Sequence, residues 1–162
     1  MTKVVQWKKG SRVTGDAEKI HSELEVIRKK SGDITPQEVV EKARSKRSSM
    51  HRSFEWDDSV AGEKYRDEQA RKLIRSIEVI IIEAPDVPAP AYSVVTRPSK
   101  GEAEPRSVYQ STEEALKNPI QRDEILGRAI REAISYRRKY ASLQELSKVI
   151  KAVDELVENF GG

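Results

Sequence analysis

SSMHRSFEWDDSVAGEKYRDEQARKLIRSI, residues 48–77, decides how this chain is read. It joins a polar, basic turn to the aromatic pair Phe54 and Trp56 around Glu55, then an acidic helix start at Asp57 and Asp58, then a helix carrying Lys64, Arg71, Lys72 and Arg75. Aromatic residues are only 6% of the chain. Two of them flanking one carboxylate between helical segments predict a fixed turn, held by Phe54, Trp56 and Tyr65. Asp57 or Asp58 is placed to cap a helix over 58–77. Ala61, Tyr65, Ala70, Leu73, Ile74 and Ile77 recur at helical spacing and supply its buried side.

Moving outward toward the N-terminus, Thr35-Pro36-Gln37-Glu38 combines a capping threonine, a proline at the first helical position and a capping-box glutamate. The helix it starts uses Val39, Val40 and Ala43 and fades near Arg47. An earlier helix begins at Asp16, carries Ile20, Leu24 and Ile27 on one stripe, and ends at Gly32. Arg28, Lys29 and Lys30 in its last turn complement the helix dipole. Lys3–Trp7 (KVVQW) reads as an edge strand or an arm.

Toward the C-terminus, Val79 to Ile82 is β-branched and continuous, the pattern of a buried strand. Pro85, Pro88 and Pro90 read as a loop, and Tyr92 to Thr96 as the second strand of a hairpin. Residues 98–110 form a polar loop, within which Ser107 to Gln110 has the makings of a third short strand. Ser111 and Glu114 start a short helix, and Asn118-Pro119 restarts it as a longer one to about Tyr140, with Leu126, Ala129, Ile130, Ala133 and Ile134 inward. Ser142 and Glu145 form a further capping box. The last helix places Leu146, Val149, Ile150, Val153, Leu156 and Val157 on one side, and Gly161 ends it.

The expected fold is therefore α+β and mostly helical. Three N-terminal helices in a helix-turn-helix-like unit with a β-hairpin occupy 1–97, a polar loop 98–110, and a C-terminal helical hairpin 111–162.

Composition sets limits on chemistry. The chain has 162 residues, 36% hydrophobic and 35% charged, enough for a core. It contains no cysteine, which removes disulfides, thiolate metal sites and cysteine nucleophiles. The N-terminal segment does not read as a secretory signal, and no apolar run is long enough to span a membrane. The expected setting is the cytoplasm, without a membrane partner. Charge is uneven: residues 1–52 carry 13 Lys and Arg against 7 Asp and Glu, whereas residues 53–162 carry 17 against 20. A basic front half suits a nucleic-acid-facing surface, although solvated helices also carry many charges.

Three helices followed by a hairpin is the order of a winged helix-turn-helix. In that reading residues 36–47 and 58–77 bracket the turn, and the second of them is the recognition helix. Lys64, Arg71 and Arg75 share one of its faces and Lys72 lies beside them. Arg44, Lys46, Arg47 and Arg52 flank the phosphate backbone. Two features oppose it. The turn is long, and Glu63, Asp67 and Glu68 place negative charge on the reading helix. An enzyme reading would centre on His51, Glu55, Asp57 and Asp58 as a hard-metal site, but the carboxylates have ordinary structural uses, and no phosphate-binding glycine loop, nucleophile elbow or His-Glu-x-x-His motif is present. The expected protein is therefore not an enzyme and uses no cofactor or metal. Tyr136, Arg137, Arg138, Lys139 and Tyr140 offer stacking groups beside cations, or more simply close a helix end. The apolar stripe of the last helix predicts a homo-oligomer, a dimer formed through residues 119–160.

The Thr35-Pro36 helix, the Phe54-Glu55-Trp56 turn, the helix with Tyr65, Arg66, Gln69, Ala70, Arg71, Leu73, Ile74 and Arg75, and the later Tyr136 to Leu146 stretch together resemble small proteins encoded by bacteriophages and prophages. The resemblance covers most of the chain and implies a mobile-element origin in a bacterial host. It carries no activity or catalytic residue. It favours a role in DNA transactions (regulation, replication or recombination) or in particle assembly, where the partner is an acidic phage or host protein.

Overall fold

In the computed structural model, which describes residues 3–60, 62–81, 84–98 and 104–160, the chain divides into two units, Met1–Leu116 and Lys117–Gly162. The architecture is α+β and mostly helical, as the sequence predicts. Ala61, Ile82, residues 99–103 of the polar loop and Gly161 lie outside the described residues.

The first unit begins with β1 (Lys3–Trp7) and α1 (Ala17–Ser31). Asp16 accepts the Glu18 and Lys19 N–H groups, and Gly32 ends α1 in the left-handed conformation at φ 84°. The next helix, α2 (Pro36–Ala43), starts on the expected capping box: Thr35 accepts the Glu38 N–H at 3.3 Å and Glu38 accepts the Thr35 N–H at 3.1 Å. It stops at Ala43, short of Arg47. The third helix, α3 (Glu63–Arg75), is shorter than expected and is capped at Gly62. Asp57 is spent instead on a local turn, accepting the Ser59 N–H and hydroxyl, and Asp58 on Arg66.

Strand pairing departs from the expected hairpin. Strand β2 (Ile77–Ile81) sits between β1 and β3 (Ala84–Pro90) in an antiparallel sheet, with Lys3 opposite Ile81 and Trp7 opposite Ile77. Pro85, Pro88 and Pro90 thus belong to a strand, not a loop. Proline is tolerated there because β3 is an edge and its pairing with β2 is irregular between Val79 and Ile81. Strand β4 (Tyr92–Arg97) pairs with β5 (Arg106–Ser111) from Tyr92 opposite Ser111 to Arg97 opposite Arg106. The polar loop is correspondingly shorter than 98–110. The helix α4 (Thr112–Lys117) follows directly.

One core holds this unit together. Ile20, Leu24 and Ile27 of α1 meet Val39, Val40 and Ala43 of α2, Ala70, Leu73 and Ile74 of α3, and Tyr92 and Tyr109 of the second sheet. Ile34 bridges to Tyr109 through reciprocal 2.9 Å backbone bonds. Asp33, buried beneath the hairpin, meets Arg97 Nε at 2.7 Å.

The second unit is a pair of helices, α5 (Pro119–Tyr140) and α6 (Ser147–Phe160). Asn118 caps α5, as expected, by accepting the Gln121 N–H at 3.2 Å. The expected Ser142 capping box does not form. A short 3-10 turn over Gln144–Leu146 intervenes, and α6 begins at Ser147. Arg137 pairs with Asp154 at 3.0 Å, tying the two helices. Ile130 and Val153 are buried, but Ala129 and Val149, expected inward, are exposed. Among the described residues of the chain, no helix is long and apolar enough to cross a membrane.

Candidate nucleic-acid interface

In the turn between α2 and α3, Phe54 and Trp56 pack together with His51. His51 stacks on Trp56 with ring centroids 5.1 Å apart and 10° between planes, and Phe54 leans on Trp56 at 5.6 Å. The Trp56 indole N–H donates to the His51 carbonyl at 2.9 Å, and His51 Nδ1 lies 2.8 Å from the Ala43 carbonyl. Glu23 of α1 accepts from the Ser48 hydroxyl and the Ser49 N–H, both at 2.6 Å. Met50 and Phe54 are buried beneath.

Arg66 is the residue the sequence reading missed here. Only 4% exposed, it pairs with Asp58 at 2.7 Å and Glu63 at 2.9 Å, and its guanidinium lies 5.8 Å from the Trp56 ring centre. A buried arginine needs carboxylates and an aromatic face together, and the Tyr-Arg dipeptide after Trp56 was the available signal. Tyr65, expected to hold the turn, is 55% exposed and makes no ring contact with Phe54 or Trp56 among the described residues; it lines a concavity with Arg52 and Ser53.

The groups weighed as a metal site are held in structural bonds. His51 is stacked and bonded, Asp57 holds Ser59, and Asp58 holds Arg66. Among the described residues, no three histidine or carboxylate side chains are grouped to hold a metal.

The expected cationic residues separate into two groups. Arg44 is engaged: it bonds Glu41 at 2.9 Å and Glu63 at 2.6 Å and lies 5.7 Å from the Trp56 ring centre. Hydrogen bonds from Arg44 and Arg66 hold the Glu63 carboxyl below its ordinary range. Arg71 pairs with Glu68 at 2.5 Å and faces a shallow pocket shared with Thr35, Arg106 and Tyr109. Lys46, Arg47 and Lys64 are exposed.

Arg52, Lys72 and Arg75 do converge. Together with Arg12, to which the sequence reading assigned no role, they line an open concavity of about 450 Å³. Three segments build it: Arg12 to Thr14, Arg52 and Ser53 of the 3-10 turn over His51–Ser53, and the face of α3 bearing Tyr65, Gln69, Lys72 and Arg75. These positions on α3 lie three and four residues apart, so one helical face presents them all. Among the described residues, none of the four cations has a carboxylate partner. Arg75 Nε donates to the Arg71 carbonyl at 3.2 Å. Glu68, the single carboxylate in the lining, is turned to Arg71. The concavity is therefore a site of unbalanced positive charge, whose field favours an anion with several oxygens.

No protein-family model matches the chain, and comparison with curated proteins and with solved structures finds no match either.

Proposed function

We propose that the protein binds DNA without chemistry, in phage-type regulation, replication or recombination in the host cytoplasm. One observation carries this reading: Arg12, Arg52, Lys72 and Arg75 come from three separate segments to one concavity and, among the described residues, pair with no carboxylate, while Glu68 in the same lining is taken by Arg71. Structural arginines in this protein, Arg44 and Arg66, do pair with carboxylates. Four unpaired cations in one place raise the protein's electrostatic energy unless a polyanion neutralises them.

The test is anisotropy of labelled DNA as a function of salt. Four phosphate contacts predict that affinity falls about 50- to 150-fold between about 50 and 200 mM salt. Combined Arg52→Ala and Arg75→Ala substitution should weaken binding by about tenfold or more and flatten the salt slope by about two contacts. Absence of binding at low salt removes the proposal.

A second reading is an interaction or particle-assembly module that takes an acidic protein partner. The exposed apolar side chains of the 117–162 unit favour it: Ile120 is 80% exposed, Phe160 59% and Val149 47%. Its test is solution size. A large closed assembly supports this reading, whereas a monomer or dimer supports the DNA-binding one.

A further inference from the structure

We infer that the concavity on α3 takes single-stranded rather than duplex nucleic acid, with Tyr65 as the platform on which a base stacks. This rests on the DNA-binding reading and assigns the form of the ligand.

Shape is the first argument. A recognition helix must project its reading face as a ridge to enter a major groove about 12 Å wide. Here the cationic face of α3 forms one wall of a concavity whose other walls are Arg12 to Thr14 and Arg52 with Ser53. At about 450 Å³, it has the dimensions of a small-ligand pocket, with room for a base and its phosphate but not for a double helix. Glu63 and Glu68 of α3 are paired with arginines, whereas half-buried Asp67 meets the neutral Gln37 amide at 2.8 Å and, among the described residues, has no cation partner, so α3 also carries an unneutralised carboxylate.

Chemistry is the second. Tyr65 is a large aromatic group, 55% exposed, in a chain where most aromatic side chains are buried or half-buried. It stands among Arg52, Lys72 and Arg75 rather than in a core. Sequence-tolerant binding of single strands uses this combination: an aromatic face for the base and cations following the backbone. Gln69 adds hydrogen-bonding capacity. Its carbonyl oxygen accepts the Glu55 N–H at 3.2 Å, which fixes the amide at the edge of the site.

The experiment compares a labelled oligothymidylate of about 16 nucleotides with a duplex of the same length, on the intact chain and on Tyr65→Ala and Tyr65→Phe. The expected result is tighter binding of the single strand, a loss of about fivefold or more with Tyr65→Ala, and recovery with Tyr65→Phe. An unchanged melting curve for Tyr65→Ala, expected from the exposure of this side chain, shows that the loss is not unfolding. If the duplex binds as tightly as the single strand, or Tyr65→Ala binds the single strand as well as the wild type, the inference is overturned while DNA binding stands. If neither ligand binds at low salt, both fall together.

Discussion

Arg66 and Arg75 belong to one helix and do opposite work. Arg66 points into carboxylates and an indole, and Arg75 into an open concavity. Replacing Arg66 with alanine removes its pairs with Asp58 and Glu63, the latter keeping only Arg44 among the described residues, and opens the space against Trp56. It should lower the melting temperature by about 5 °C or more, whereas Lys72→Ala and Arg75→Ala change it by less than about 2 °C. Thermal melts by circular dichroism read the difference. His21 carries a pH dependence. Burial holds its pKa below 6.5, Glu25 opposes the shift, and Lys3 and Arg28 add to it. Below 6.5 the unfolded chain therefore binds a proton that the folded chain refuses, and stability is lost as pH falls. Glu25 acts next. Burial pushes its carboxyl up, but hydrogen bonds from Arg28 and Tyr92 outweigh that and hold it below 4.5. Its contribution is present above 4.5 and lost on further acidification. The urea midpoint should fall steadily below pH 6.5, and His21→Gln should flatten the upper part of that fall. Of the candidate site, Arg52, Lys72 and Arg75 were legible from sequence because basic side chains on a helix and its preceding turn show in the chain itself. Arg12 was not, because only folding brings the stretch before α1 against α3.

Elements that begin with their own signals form where those signals stand. The Thr35 and Glu38 capping box starts α2, Gly32 ends α1, and Asn118-Pro119 restarts the chain as α5. Thr35→Ala should cost about 1 kcal/mol in chemical denaturation, because it removes the acceptor of the Glu38 N–H in the first turn of α2 and the hydroxyl that holds the Glu38 carboxylate. Where a signal has two uses, the other use can win. Asp57 and Asp58 have the form of helix caps, yet Ser59 and Arg66 take them and α3 starts later, at Glu63. The strands show the limit most plainly. Val79 to Ile82 reads as a strand but does not name its partners, and β2 pairs with the distant β1 as well as with a proline-bearing β3. The proline run that excludes a helix does not exclude an edge strand.

For the whole molecule, the 117–162 unit is too short to bury its own apolar face, and Leu143, Val149 and Phe160 remain in the open. If the homo-oligomer expected through residues 119–160 forms there, sedimentation of the intact chain gives a dimer, and Val149→Glu with Phe160→Glu moves it to a monomer. The first unit has a conventional core. Leu24→Ala at its centre should cost about 2–5 kcal/mol in chemical denaturation. The amino-acid sequence by itself determined the α+β class, the caps of α1, α2 and α5, and the buried stripes of α1 and α2, since periodicity and capping act over a few neighbouring positions. Tertiary structure alone decided which strands pair, which arginines are consumed by carboxylates, and which cations meet across the fold. Those outcomes depend on competition between partners far apart in the chain, and no local pattern records who wins.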